Sequence, residues 1–119
     1  MPLNVKLFVA TGGLAQHPSV ELDLPQGHKI IGGGATDHWS GQGNMLTASY
    51  PRSTTSWFAA GKDHEVASPA TISAFVLAIE DPQNEWDVVI ASETSAPAAH
   101  PQAVAVLQFH RLPQPTLVV

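Results

Sequence analysis

Ser68-Pro69-Ala70-Thr71-Ile72-Ser73-Ala74-Phe75-Val76-Leu77-Ala78-Ile79 is the stretch that separates an all-β chain from a mixed one, because its residues support two readings. Ser suits a helix N-cap, Pro suits the first helical position, and Ile72, Phe75, Val76 and Ile79 recur at helical spacing. Against this, Thr71, Ile72, Phe75, Val76 and Ile79 are β-branched or aromatic types, which lose rotamer freedom in a helix and pack well on a pleated face. The balance favours a strand, and the helix stays open as the alternative.

Ten Pro and nine Gly punctuate the whole length and leave pieces that suit strands. Residues 4–10 alternate polar and apolar at their start. Residues 19–24 alternate without a fault, which places Val20, Leu22 and Leu24 on one face. The runs 28–31, 45–50, 56–60, 86–91 and 103–109 add further strands, each bounded by turn-forming residues. About eight short strands predict an all-β fold, a β-sandwich or small barrel, as one domain over residues 1–119. Its expected core is Val20, Leu22, Leu24, Ile31, Leu46, Phe75, Leu77, Ile79, Val89, Val104 and Val106. After the break at Leu112-Pro113-Gln114-Pro115, the apolar residues 116–119 are expected to tuck into a sheet edge or a neighbouring subunit.

The 119 residues suit a single core, and 44% hydrophobic with 13% charged residues is too apolar for a disordered polyelectrolyte. Five basic residues against ten acidic ones give a formal charge of −5 without a basic cluster, which argues against nucleic acid as a partner. Cysteine is absent, so disulfides, thiolate nucleophiles and Cys-based metal sites are excluded. No apolar run approaches the roughly 18 residues of a membrane span. The first residues lack a signal-peptide pattern, so the expectation is a cytoplasmic protein or one exported by a non-classical route.

A partial internal repeat stands out. Val9-Ala10-Thr11 leading through a small polar loop to His17-Pro18 and an alternating run is echoed by Ile90-Ala91-Ser92 leading to His100-Pro101, with two extra residues in the second connection. The copies span about 9–22 and 90–105, and each reads as strand, loop, His-Pro, strand. Equivalent hairpin-like units at the two ends are the expectation.

Between the copies lies Gly32-Gly33-Gly34-Ala35-Thr36-Asp37-His38-Trp39-Ser40-Gly41-Gln42-Gly43-Asn44, read as a loop-rich functional segment. Three glycines permit positive φ or close approach of another group, and the plainer account is a bulge or sheet corner. Asp-His occurs as Asp37-His38 and as Asp63-His64. If their loops converge, carboxylates, imidazoles and Lys62 gather beside Trp39, Tyr50 and Trp57 at one end of the fold. Hydroxyl-rich ligands need this mixture, since polar groups bond vicinal hydroxyls while an aromatic face covers the C–H side of a sugar ring. The candidate ligand-binding residues are therefore Trp39, Asn44, Tyr50, Trp57, Asp63 and His64, expected to share one water-facing hollow. Adjacent Asp and His rarely ligate together and no His-x-x-x-His spacing is present, so no metal and no cofactor is assigned. No serine is singled out as a nucleophile and no catalytic residue is named, so the reading leans away from an enzyme.

Ile30-Ile31-Gly32-Gly33-Gly34-Ala35, Met45-Leu46-Thr47-Ala48-Ser49-Tyr50-Pro51, Trp57 with Gly61-Lys62-Asp63-His64, and Ser68-Pro69-Ala70-Thr71-Ile72 resemble a recurring bacterial all-β repeat module, over roughly positions 9–107. The resemblance implies a bacterial origin and supports the half-repeat; it brings no site residue with it. The functional expectation is a non-enzymatic carbohydrate-binding, lectin-like module with a glycan or other hydroxyl-rich ligand. A small hydrolase using the Asp-His pairs and a structural or toxin-associated interaction domain are the alternatives. An exposed sheet edge and the apolar C-terminus point to a homo-oligomer.

Overall fold

Residues 3–106 and 115–119 are described by the computed structural model, and the question at 70–80 resolves as extended chain. The strands are β1 (Val5–Thr11), β2 (Ser19–Asp23), β3 (His28–Trp39), β4 (Asn44–Ser53), β5 (Ser56–Asp63), β6 (Ala70–Glu80), β7 (Asp87–Val89) and β8 (Thr116–Val118). No helix occurs among the described residues. Strands in the order β1-β6-β3 form one antiparallel sheet and β2-β5-β4 another, while β7 and β8 pair in parallel. The two three-stranded sheets face each other as an open sandwich, β3 against β4 and β6 against β2 and β5. The molecule measures 52 × 33 × 16 Å. Two sheets about 10 Å apart with outward side chains account for the thin dimension.

Burial of β6 follows the two-residue period of a strand. Ala70, Ile72, Ala74, Val76 and Ala78 point inward and are completely buried, whereas Leu77, on the opposite phase, is 45% exposed. Ser73, flanked by Thr11 and Thr36, and Ile79, flanked by Val5 and Lys29, are outward-phase residues that are also buried. The core consists of Leu22, Ile30, Trp57, Ala59, Ile72, Ala74, Val76 and Ala78, with Phe8, Ala10, Val20, Leu24, Ala35 and Val119 packed against it.

This corrects the expected core. Leu22 and Ile79 are buried as expected, but Leu46, Leu77, Val89, Val104 and Val106 are exposed. On β6 the cause is phase: both faces are apolar, the larger side chains stand outside, and alternation cannot say which set turns inward. Residues 90–106 form no strand, 96–106 are exposed throughout, and the rest of the expected 103–109 strand lies outside the described residues. The first copy of the sequence echo therefore builds β1, a loop and β2, while the second follows β7 into irregular exposed chain. Residues 116–118 do find an edge: β8 lies along β7, and Val119 packs on the core.

The glycine run is strand, not loop. β3 continues through Gly32, Gly33 and Gly34 as far as Trp39, with a register shift between Ile30 and Gly32. Positive φ among the glycines occurs instead at Gly27, Gly41 and Gly43. Close approach explains Gly33. A Cβ there would lie 2.9 Å from the Trp57 ring and 2.7 Å from the Phe75 carbonyl oxygen. The small residue on β3 thus admits the largest side chain of the core, whose indole Nε1 donates to Ser49 Oγ at 3.1 Å.

Candidate functional site

Three connections meet at one end of the sandwich: the β1–β2 loop, the β3–β4 turn and the β5–β6 loop. Asn44, the first residue of β4, ties two of them to itself, because its Nδ2 donates to Gln16 O and to Ser68 O, each at 2.9 Å. Ser68 continues the knit. Its Oγ donates to Ser40 O at 2.9 Å and accepts from Gly43 N at 3.1 Å, and its own N–H donates to Asp63 Oδ2 at 3.0 Å. The Asp63 N–H donates to Gln16 O, and Ala15 bridges Ala70. Loop carbonyls that would otherwise lie buried and unpaired are satisfied in this way.

The expected convergence of loops occurs, but the ligand set is divided. Trp39, Asn44, Asp63 and His64 come to this end. Tyr50 does not: six residues along β4 from Asn44, it lies about 20 Å away on the outer face of the second sheet. There it stacks edge-on to Phe58 at 5.7 Å. Trp57 is 6% exposed and Asn44 is 5% exposed, so both are interior parts of the scaffold and present nothing to a sugar. The Asp63 side chain is nearly buried and committed to Ser68, with His17 Nε2 3.5 Å from its other oxygen. Trp39, 54% exposed, and His64, close to Glu65, remain on the rim. The shared hollow lined by all six side chains is not formed. The reason is physical: an aromatic residue, an amide and a carboxylate serve a binding site or a thin core equally well, and here the core and the loop knit take three of them.

The side chains of the first Asp-His pair are parted by the pleat of β3. Successive residues on a strand point to opposite faces. Asp37 enters the space between the sheets, where its carboxylate oxygens are buried without partners, while His38 lies outside with Nε2 2.9 Å from Ser73 Oγ. Burial raises the Asp37 carboxyl above its ordinary range, against the opposing effect of neighbouring His38. The Ser73–His38 contact, which the sequence did not signal because 35 residues separate the partners, also takes in Thr11 Oγ1, at 2.7 Å from Ser73 Oγ. Ser73 is mid-strand with neighbours paired on both sides, so nearby amides serve the ladders and are not aimed as a pair at a developing oxyanion. No cluster of three or more acidic or histidine side chains suited to a metal occurs among the described residues.

A second surface escaped the sequence reading altogether. On the outer face of the first sheet, Val5, Leu7 and Val9 of β1 are 48, 60 and 53% exposed, beside Leu77 at 45%. Leu7 pairs with Leu77 and Val9 with Phe75, while Gly32 and Gly34 flank the same two β6 residues with no side chain at all. The signal was present in the alternation of 4–10, where Val5, Leu7 and Val9 form a wholly apolar phase and Phe8 and Ala10 supply apolar residues to the other. The other half of this face is polar, carrying Thr11, Ser73, Thr36, His38 and Thr71. No protein-family model, no curated protein and no solved structure matches the chain.

Proposed function

We propose that the chain is a non-enzymatic interaction domain that binds a second copy of itself through the outer face and free edge of its first sheet. The observation that carries this reading is the contiguous apolar surface of Val5, Leu7 and Val9 with neighbouring Leu77, the first three on a seven-residue strand that is paired on one side only among the described residues. Soluble monomers protect such an edge with charges, proline or a covering loop. The outward positions of β1 from Val5 to Val9 carry no charge. Antiparallel pairing of two β1 strands about Leu7 would set Val5 opposite Val9 and extend the apolar face without opposing like charges.

Sedimentation velocity over a concentration series tests it. The wild-type protein is expected to associate, and Leu7→Lys, which points outward and disturbs no core contact, is expected to sediment as a monomer. A wild-type protein that is monomeric throughout, or a Leu7→Lys variant that associates equally, rejects the reading. Trp39 favours a second reading, a carbohydrate bound at the loop-lined end with the exposed indole as platform. Glycan-array binding that disappears in Trp39→Ala but persists in Leu7→Lys would select it.

A further inference from the structure

We propose that Asp37 keeps its proton in the folded protein over a pH range where exposed carboxyl groups lose theirs, and donates a hydrogen bond to Asn44 Oδ1 that clasps β3 of one sheet to β4 of the other.

Among the described residues, three buried side-chain oxygens have no donor: Asp37 Oδ1, Asp37 Oδ2 and Asn44 Oδ1. They share one space. A Cβ on Gly61 would lie 2.7 Å from Asn44 Oδ1 and 2.9 Å from Met45 O, and closer still to Asp37 Oδ2. The amide cannot be turned round to supply the donor. Its Nδ2 is held by Gln16 O and Ser68 O, so a flip would place the amide oxygen against two carbonyl oxygens. Two side-chain acceptors therefore converge beside Gly61, and a buried, unpaired carboxylate is costly enough that such groups neutralise. One proton on Asp37 answers both problems, because it removes the charge and gives Asn44 Oδ1 a partner.

The surrounding charged groups offer no substitute. On its own strand, His38 faces outward to Ser73. On β5, Lys62 is exposed on the outward phase, and Asp63, itself an acid, is bound to the Ser68 amide with His17 on its far oxygen. From β6 the residue opposite Asp37 is Ile72, and no ion pair reaches Asp37 among the described residues. A calcium ion would want about six to eight oxygens, against one carboxylate, one amide and one carbonyl here.

A carboxyl whose folded midpoint lies above its unfolded one stabilises the fold fully below the unfolded value, and that contribution is lost as pH rises through the folded midpoint. Between the two midpoints the unfolding constant should rise by up to about tenfold per pH unit from this group alone. The experiment is urea unfolding across pH for the wild-type protein and Asp37→Asn, with a carbon-13 NMR titration of the Asp37 carboxyl in the intact wild-type chain. Asp37→Asn keeps a donor toward Asn44 at every pH, so it should remove this part of the pH dependence and be at least as stable as wild type at the alkaline end. In the wild-type protein the carboxyl should titrate above the exposed carboxylates. A carboxyl that titrates among them, or an unaltered pH profile in the variant, overturns the proposal. So does a urea midpoint that added calcium or sodium raises in wild type but not in Asp37→Asn, since a cation would then occupy the space. If the variant fails to fold, the wild-type titration decides alone.

Discussion

On the outer face of the second sheet, Arg52 lies 3.9 Å above the Phe58 ring and 3.4 Å from Glu21, with Tyr50 against the ring edge. On the first sheet, Leu7 and Leu77 stand side by side, 60 and 45% exposed. Both faces carry large apolar residues at the centre of three-stranded sheets. The difference lies in the cover: a guanidinium beside a carboxylate lies over the Phe58 ring on one face, where Tyr50 is still 44% exposed, and no such contact covers Leu7 or Leu77 among the described residues. Exposure alone says little about function. An uncovered apolar run beside an unpaired edge says considerably more.

The broadest challenge to this comparison is to remove what both faces share. Trp57→Ala should lower the unfolding free energy by about 3–5 kcal/mol in urea, because it empties the space that Gly33 leaves open. A loss under about 1 kcal/mol would mean that the faces do not rest on one core. Next in size is the loss of association in Leu7→Lys, whose stability should stay within about 0.5 kcal/mol of wild type. A large drop in stability there would recast the apolar face as part of the fold. The smallest effect belongs to the covered face. Arg52→Ala should leave the urea midpoint close to that of wild type, and new association on uncovering Phe58 would show directly that the guanidinium separates the two faces.

Some of this was legible in the sequence for reasons that can be named. Residues 19–24 announced β2 because that strand has one wet face and one dry face, so polarity and pleat coincide. At 70–80 the strand itself was readable from β-branched and aromatic residues, but its phase was not, since both faces are apolar and the buried set is mostly alanine. Gly33 had the right physical category, close approach, while the approaching partner, Trp57, was assigned to a ligand instead. The knit of Asn44 to Gln16 and Ser68 spans 28 and 24 residues, and no local pattern encodes such pairings. Convergence of the loops could be supposed from sequence; the identity of the side chains spent in holding them could not.

The alanines that meet across the interior have a further consequence. With Ala59, Ala74 and Ala78 beside Leu22, Ile30, Ile72 and Val76, the middle layer is filled by aliphatic side chains, many of them short, around one indole. So shallow a layer leaves little depth in which to shelter a small molecule. Any partner would then be chosen on the skin of the domain, where one side chain can be exchanged for another without rebuilding the layer beneath.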